Sequence, residues 1–537
     1  MNNSERRRSI KATTVFIALA LSMIISFHIQ PAHAVSWSSP VQVPVNTGFN
    51  IKPSIAQDSK SNFWLVYESA LTQQAYFKIY NGFTWTAESN FTNSHGPNGF
   101  WINEAPAISA LSNGTLFLAW DSNRTGNVEV FYKTNTKNIW SPETQLTNSL
   151  NQDQDPSLAQ DSSGRIWVIW DRFFTSTANL YYNFYTPGVG WSGETALTTG
   201  SQVDTNPSVT ITTSGRVWVV WSSSRTGTYQ LWYKYYNGSS WTADTRLTNY
   251  AQADSDPSIV QTRDGNIWVV WSRTIKISNF VDGTDIYYVN STSSGSTWST
   301  PTAITTNGST ATGCQTDPCL NGQPSTIQFS DKRLYIFFSS NTPDTSDFHI
   351  FYLSSPQILI HDLAVTGLVV TPSKLYPGGL KSINQSALVA INATVTNLGD
   401  FSDNAQYTLY ANSTLLASVP LGLFLPTQAV QIISSWNTTG YHTGCYQIQA
   451  IVAIVPGEAN TVNNSLIVHN IRLLQPGDIN QDGVINLLDA SVLSAAYGSR
   501  VGSSKYVAAA DINSNGVIDL GDASVLALHY GWRCLSC

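Results

Sequence analysis

Asp256-Pro257-Ser258-Ile259-Val260-Gln261, a turn at Arg263-Asp264-Gly265, then Ile267-Trp268-Val269-Val270-Trp271 is the stretch from which the fold is read. A short apolar run behind a proline, a glycine turn and a β-branched and aromatic run predict two strands of a hairpin. The same order recurs behind Pro53-Ser54, Pro106-Ala107, Pro156-Ser157, Pro207-Ser208 and Pro324-Ser325. A period of about fifty residues marks a repeat architecture. A tyrosine-rich third strand follows, as in Leu231-Trp232-Tyr233-Lys234-Tyr235-Tyr236, and most units close with a tryptophan and a Leu-Thr strand, as in Trp241 to Thr248. Four strands per unit make one propeller blade, so residues 35–355 are expected to form a six-bladed β-propeller. The sixth unit stops at Phe348–Tyr352, but Trp37-Ser38-Ser39-Pro40-Val41-Gln42-Val43 matches the closing stretch Trp140 to Leu146. A strand from the mature N-terminus would complete the last blade and cover its free edge. The Trp and Tyr stripes are read as packing between blades.

Polar residues gather at two places in each repeat. Lys52, Glu104, Asp153, Asp155, Asp204, Asn206, Asp254, Asp256 and Gln323 precede the Pro-Ser anchors, and Arg124, Arg172, Arg225 and Arg273 follow the second strand. Both places are expected on one face, around the central channel. The candidate ligand-binding residues are therefore Asp155, Asp256, Asn206, Lys52, Arg124 and Arg225, with arginine able to clamp an acidic sugar's carboxylate. The competing reading is structural: Asp and Asn are ordinary turn formers, and repeated arginines bridge blades.

Residues 356–473 change character, with alternating strands such as Leu388–Thr396 and Tyr446–Val452, and predict an immunoglobulin-like β-sandwich. Residues 474–537 carry a twelve-residue pattern twice, from Asp478 to Asp489 and from Asp511 to Asp522. Oxygen ligands at positions 1, 3, 5 and 12, a backbone carbonyl at 7 and glycine at 6 suit calcium. The metal ligands are read as Asp478, Asn480, Asp482, Val484 and Asp489, then Asp511, Asn513, Asn515, Val517 and Asp522, for two ions. Each loop leads into an Ala-Ser-Val-Leu segment with helical spacing.

Residues 1–34 read as a signal peptide: Arg6, Arg7, Arg8 and Lys11, an apolar run too short for a membrane span, then Ala32-His33-Ala34. The mature chain is expected outside the cell, without a transmembrane anchor. Sequons such as Asn113, Asn237 and Asn412 permit glycosylation there. A net charge of −7 argues against a nucleic-acid partner. Among five cysteines, Cys314 with Cys319 and Cys534 with Cys537 are read as pairs, leaving Cys445 over.

Three resemblances follow from these residues. The paired loops resemble a type I dockerin, which implies calcium and a cohesin-like receptor on a scaffold or cell surface. That family often carries hydroxyl residues just before the twelfth ligand, whereas Leu487-Leu488 and Leu520-Gly521 stand here. Asp362–Val365, Val395–Gly399, Trp436 and Pro456–Asn464 resemble the CARDB adhesion domain, a spacer module. Ser291–Trp298, with weaker copies at Asn81–Trp85 and Asn237–Trp241, resembles the Asp-box turn of sialidase-like propellers. The sialidase site itself does not carry over, since Lys52 in Ile51-Lys52-Pro53 replaces the carboxylate-binding arginine and no tyrosine–glutamate pair can be matched. The leading reading is a docked module recognising an extracellular glycan or surface partner. The alternatives are an exo-acting glycoside hydrolase of polysaccharide catabolism and a structural surface-layer component.

Overall fold

A strand buried on both faces must be apolar at every position, and the Ile-Trp-Val-Val-Trp runs meet that demand. The computed structural model describes residues 35–45, 48–92, 95–96, 99–276, 282–306, 319–342, 347–371, 374–375, 381–384, 388–458 and 460–533. The proposed signal segment lies outside the described residues, as do Cys314, Cys534 and Cys537. Cys445 is not left over, because it is disulfide-bonded, as is Cys319. No helix among the described residues is long and apolar enough to cross a membrane.

Six antiparallel sheets succeed one another along the first part of the chain, and none closes on itself. The fourth is typical: Asp204–Ile211, Val217–Ser223, Gln230–Tyr236 and Thr245–Arg246 pair in order. Its second strand is sealed, with Val219, Val220 and Trp221 inaccessible to solvent. The first strands of the six sheets neighbour one another in turn, and Asn321–Gln328 packs back against Asn50–Gln57. The sixth sheet takes its outer strand from the other end of the chain, as expected: Val41 pairs with Tyr352 and Gln42 with Phe351, antiparallel.

The Pro-Ser anchors have a mechanical role. Ser54, Ser157, Ser208 and Ser258 each accept a backbone N–H of the next sheet, from Ile108, Val209, Ile259 and Thr326. Gln57 and Ser330 exchange two hydrogen bonds of 2.9 Å between the first and sixth sheets. The closing tryptophans fill the seams: Trp140 meets Trp64, Trp241 meets Trp167, Trp298 meets Trp218, and Trp37 meets Trp268 at 6.2 Å. Gly295 is required in the turn before Trp298, since a Cβ there would lie 2.1 Å from the Trp218 ring.

Downstream, a three-stranded sheet (Leu363–Thr371, Leu388–Asn397, Ala429–Asn437) and a six-stranded sheet that includes Asp403–Ala411 and Gly444–Val452 enclose one core around Trp436, Tyr407 and Ile391. Asp400 of this sandwich accepts from Arg263 and, at 2.6 Å, from Lys332, both on hairpin turns of the preceding sheets. Two helices follow, α1 (Leu487–Ala496) and α2 (Leu520–Leu528).

Trp37→Ala is expected to destabilise the six-sheet body by about 2–3 kcal/mol, because it empties the last seam. Urea unfolding followed by tryptophan fluorescence checks this, and an unchanged midpoint would show that the seam does not need the N-terminal strand.

Candidate functional site

The residue before each anchor proline sits in the left-handed region: Lys52 (φ 51°), Ala105 (46°), Asp155 (50°), Asn206 (52°), Asp256 (50°) and Gln323 (53°). Each first strand whose ladder is interrupted there shifts register at that point, for instance between Gln154 and Ser157. The bulge turns these six residues toward a common pocket of about 150 Å³, rimmed by them and the six Pro-Ser or Pro-Ala pairs. Of the sequence candidates, Lys52, Asp155, Asn206 and Asp256 line this pocket. Lys52 Nζ reaches Asp155 Oδ1 at 2.7 Å, passing the second sheet, where Ala105 stands in place of a polar side chain before the proline.

Arg124 and Arg225 do not join them. Arg225 bonds Asp204 and Asp244 at 2.8 Å and covers the Trp232 ring. Arg124 is held by Glu143 and Asn103 and lies over Phe131. Arg172 and Arg273 likewise clasp the fully buried Asp153 and Asp254. These arginines brace their own sheets, and neither Arg124 nor Arg225 lines the pocket. Asp153, Asp204 and Asp254 belong to the same braces and not to the axis.

A second ring was missed from sequence. Glu68, Asp121, Asp171 and Ser272 directly follow Tyr67, Trp120, Trp170 and Trp271 on four of the second strands, and they accept the backbone N–H of Ala105, Asp155, Asn206 and Gln323. Lys52 N–H donates to Gln323 Oε1 instead, joining the sixth sheet to the first. Burial, against the opposing field of Lys52, lifts the Glu68 carboxyl to about 7. Burial likewise lifts Asp121 to about 8, with Lys52 opposing and Asp155 adding to it. Asp171 is raised well above the usual range by burial and Asp155, and its Oδ1 has no hydrogen-bond partner. Asp256 is also raised, chiefly by burial. The Lys52 ammonium is desolvated, yet Asp155, Asp121 and Glu68 hold its pKa above the ordinary range. A hydrogen-bonded tyrosine–glutamate pair does exist, Tyr67 with Glu88 at 2.6 Å, but Tyr67 is fully buried and does not line the pocket.

The C-terminal loops fold as their spacing predicts. Gln481 and Ser514 at position 4, and Gly483 and Gly516 at position 6, are all left-handed. Asp489 and Asp522 are fully buried and close capping boxes at the starts of α1 and α2. The loops are exchanged in a two-fold manner: Val484 bridges Arg533 beyond α2, and Val517 bridges Arg500 beyond α1. Among the described residues no three His, Cys, Asp or Glu side chains gather as a metal cluster. The capacity for an ion rests instead on a mixed set of carboxylates, Asn amides and a backbone carbonyl, the donors calcium takes. Asp478 fits this need: its Oδ1 is buried without a partner, and burial, with Asp489 and Asp482 nearby, lifts its pKa to about 6 against the Gly483 N–H.

Residues 476–528 match the dockerin type I domain. Type I dockerins generally bind calcium, occur in extracellular and cell-surface proteins and imply a cohesin partner, so the dockerin supports docking of this chain. No curated protein matches the sequence. Among solved structures, a protein of unknown function from Dyadobacter fermentans is similar at 14% identity, over 60% of this chain and 99% of that one, with a TM-score of 0.48. Penicillium chrysogenum alpha-L-arabinanase is similar at 14% identity, over 59% and 98%, with a TM-score of 0.44. Trypanosoma rangeli sialidase is similar at 10% identity, over 82% and 97%, with a TM-score of 0.42.

The raised carboxyls set a direction for pH. Glu68 and Asp121 keep protons in the folded state that an unfolded carboxyl, near 4, has already lost. Stability should therefore fall as pH rises from about 4 to about 8 and level off above. Asp121→Asn, which still accepts the Asp155 N–H, should flatten that fall in thermal melts. Arg225→Ala should cost about 3 kcal/mol by stranding the buried Asp204, and unaltered stability would return Arg225 to the candidate binding residues.

Proposed function

We propose that the chain is a secreted modular protein in which a six-bladed propeller, a CARDB-like immunoglobulin-fold spacer and a dockerin holding two calcium ions are joined in that order. Its function is recognition. The dockerin fastens the protein to a cohesin-bearing scaffold or cell surface, and the axial pocket receives the polar end of an extracellular glycan. The observation that carries this reading is the pocket rim. Five polar side chains, the ammonium of Lys52, the carboxyls of Asp155 and Asp256 and the amides of Asn206 and Gln323, converge on one small space. Space of about 150 Å³ takes a chain terminus and not an extended polymer, since ligand cavities usually run from about 300 Å³ upward. The carboxyls with the strongest upward shifts are committed to backbone N–H groups, which suits a rigid receptor better than a proton shuttle.

One observation favours the hydrolase alternative. Asp256, raised by burial, and Asp155, paired with Lys52, are two carboxyls in contrasting surroundings, the arrangement that separates acid from base in glycosidases. A glycan array with the secreted protein, followed by a chromogenic glycoside panel, separates the two. Saturable binding without turnover, weakened at least about tenfold by Asp155→Ala, is expected. Turnover abolished by Asp256→Asn would establish the enzyme, and neither binding nor turnover would leave a surface-layer role.

Titration of the full chain with calcium should register two ions, and Asp489→Ala should remove one. Uptake of no calcium would end the docking reading.

A further inference from the structure

The residue facing the second-strand aromatic across the ladder differs among the six sheets. In the third and fourth sheets the second-strand tryptophan faces another ring across the ladder, Trp167 opposite Phe184 and Trp218 opposite Tyr235, while in the first Trp64 faces Ile79. In the second sheet both partners are smaller: Phe117 stands opposite Thr134. The fifth and sixth sheets also have short partners, Asn290 and Ser354, but there other groups fill the gap. Val35, Trp37 and Ile358 pack onto Trp268, and Phe329 packs onto Tyr335 at 4.8 Å. Phe117 is itself buried and meets Trp191 edge-on at 6.4 Å, but no ring stands opposite it across the ladder. A cavity of about 310 Å³ remains at the seam between the second and third sheets.

Its walls are built of rings. Phe117 and Tyr132 stack at 5.1 Å and 7°, and Trp191 stands edge-on to Tyr132 and to Tyr185, each at 5.5 Å. The indole N–H groups of Trp37, Trp241 and Trp298, which occupy the same place in other repeats, are buried without an acceptor, whereas those of Trp85, Trp140 and Trp191 are not sealed in this way. Asn113, Thr134 and Gln160 supply amide and hydroxyl groups, and no charged side chain lines the cavity. Aromatic faces beside a few polar groups, in a volume at the lower end of ligand cavities, suit a small neutral ring with one apolar face and hydroxyls at its edge. The Asn113 and Gly164 turns place this cavity at the hairpin end of the strands, away from the axial rim.

We infer that the seam between the second and third sheets is a second binding site, taking one neutral sugar unit of an extracellular oligosaccharide against Trp191, Tyr132 and Phe117. The absence of charge in its lining separates it from the axial pocket, so the two sites bind independently. The test uses the full secreted chain with cellotetraose, xylotetraose, mannotetraose and arabinotetraose, read by tryptophan emission and calorimetry. At least one is expected to bind saturably with a change in emission. Thr134→Phe, which supplies the ring that the third sheet carries at this register, should weaken that binding about tenfold or more. Trp191→Ala should do the same with an unchanged far-ultraviolet spectrum, and Asp155→Asn should leave the seam affinity intact. Equal affinity in Thr134→Phe and wild type would overturn the site. So would loss of binding in Asp155→Asn alone, or no response to any of the four sugars. Failure of axial binding on the glycan array would leave this site standing.

Discussion

A left-handed residue in front of a proline is a costly conformation, and six of them set the geometry of this protein. A non-glycine residue held there costs about 1–3 kcal/mol, and the following proline narrows the choices further. The conformation persists because the surroundings fix both sides of it. The backbone N–H of Ala105, Asp155, Asn206 and Gln323 is accepted by a side chain of the preceding sheet. Serines two residues on reach the next sheet from the first, third, fourth and fifth repeats. One short segment thus bends the strand, ties three sheets together and turns its own side chain to the axis. The pocket is a by-product of how the ring is held.

That same bend explains what could and could not be read from sequence. Pro-Ser anchors, aromatic strands and the borrowed N-terminal strand were legible because each depends on composition and period. The facing of Asp153 and Asp155 was not. Two residues apart on a regular strand they would share a face, and both were read as axial. The register shift between Gln154 and Ser157 breaks that parity, so Asp153 meets Arg172 while Asp155 lines the pocket. The ring of Glu68, Asp121 and Asp171 was overlooked because each ends an apolar run. Its signal was present nonetheless, as a polar residue directly after the aromatic that closes the apolar run in every repeat, at Tyr67, Trp120, Trp170, Trp221, Trp271 and Phe338. The fold of the paired twelve-residue loops and their helices was legible, because the order of turn and capping residues leaves the backbone little choice.

Placement of the remaining modules follows from charge at the other end of the strands. Arg263 and Lys332 sit on hairpin turns, whereas Asp256 and Gln323 stand at the opposite ends of the same first strands. Seven to nine residues of strand separate them, roughly 20–30 Å at about 3.3 Å per residue. Asp400 draws the sandwich to the turn end, and Lys332 and Arg263 hold its carboxylate below the usual range, with the Ile360 N–H adding to them. The axial rim therefore lies at the end of the strands opposite to the Asp400 contact with the sandwich.

Repetition also tells where function is to be sought. A residue that recurs from unit to unit answers a need the units share, and the four arginine braces, the seam tryptophans and the five Pro-Ser serines are of that kind. Chemistry that occurs once cannot be needed for closing a ring. Lys52 is the single cation on the rim, and it reaches Asp155 only because Ala105 leaves the way clear. Phe117 and Thr134 border the cavity at the seam between the second and third sheets. Both places involve the second sheet, so two different spaces, one charged and one neutral, border a single repeat.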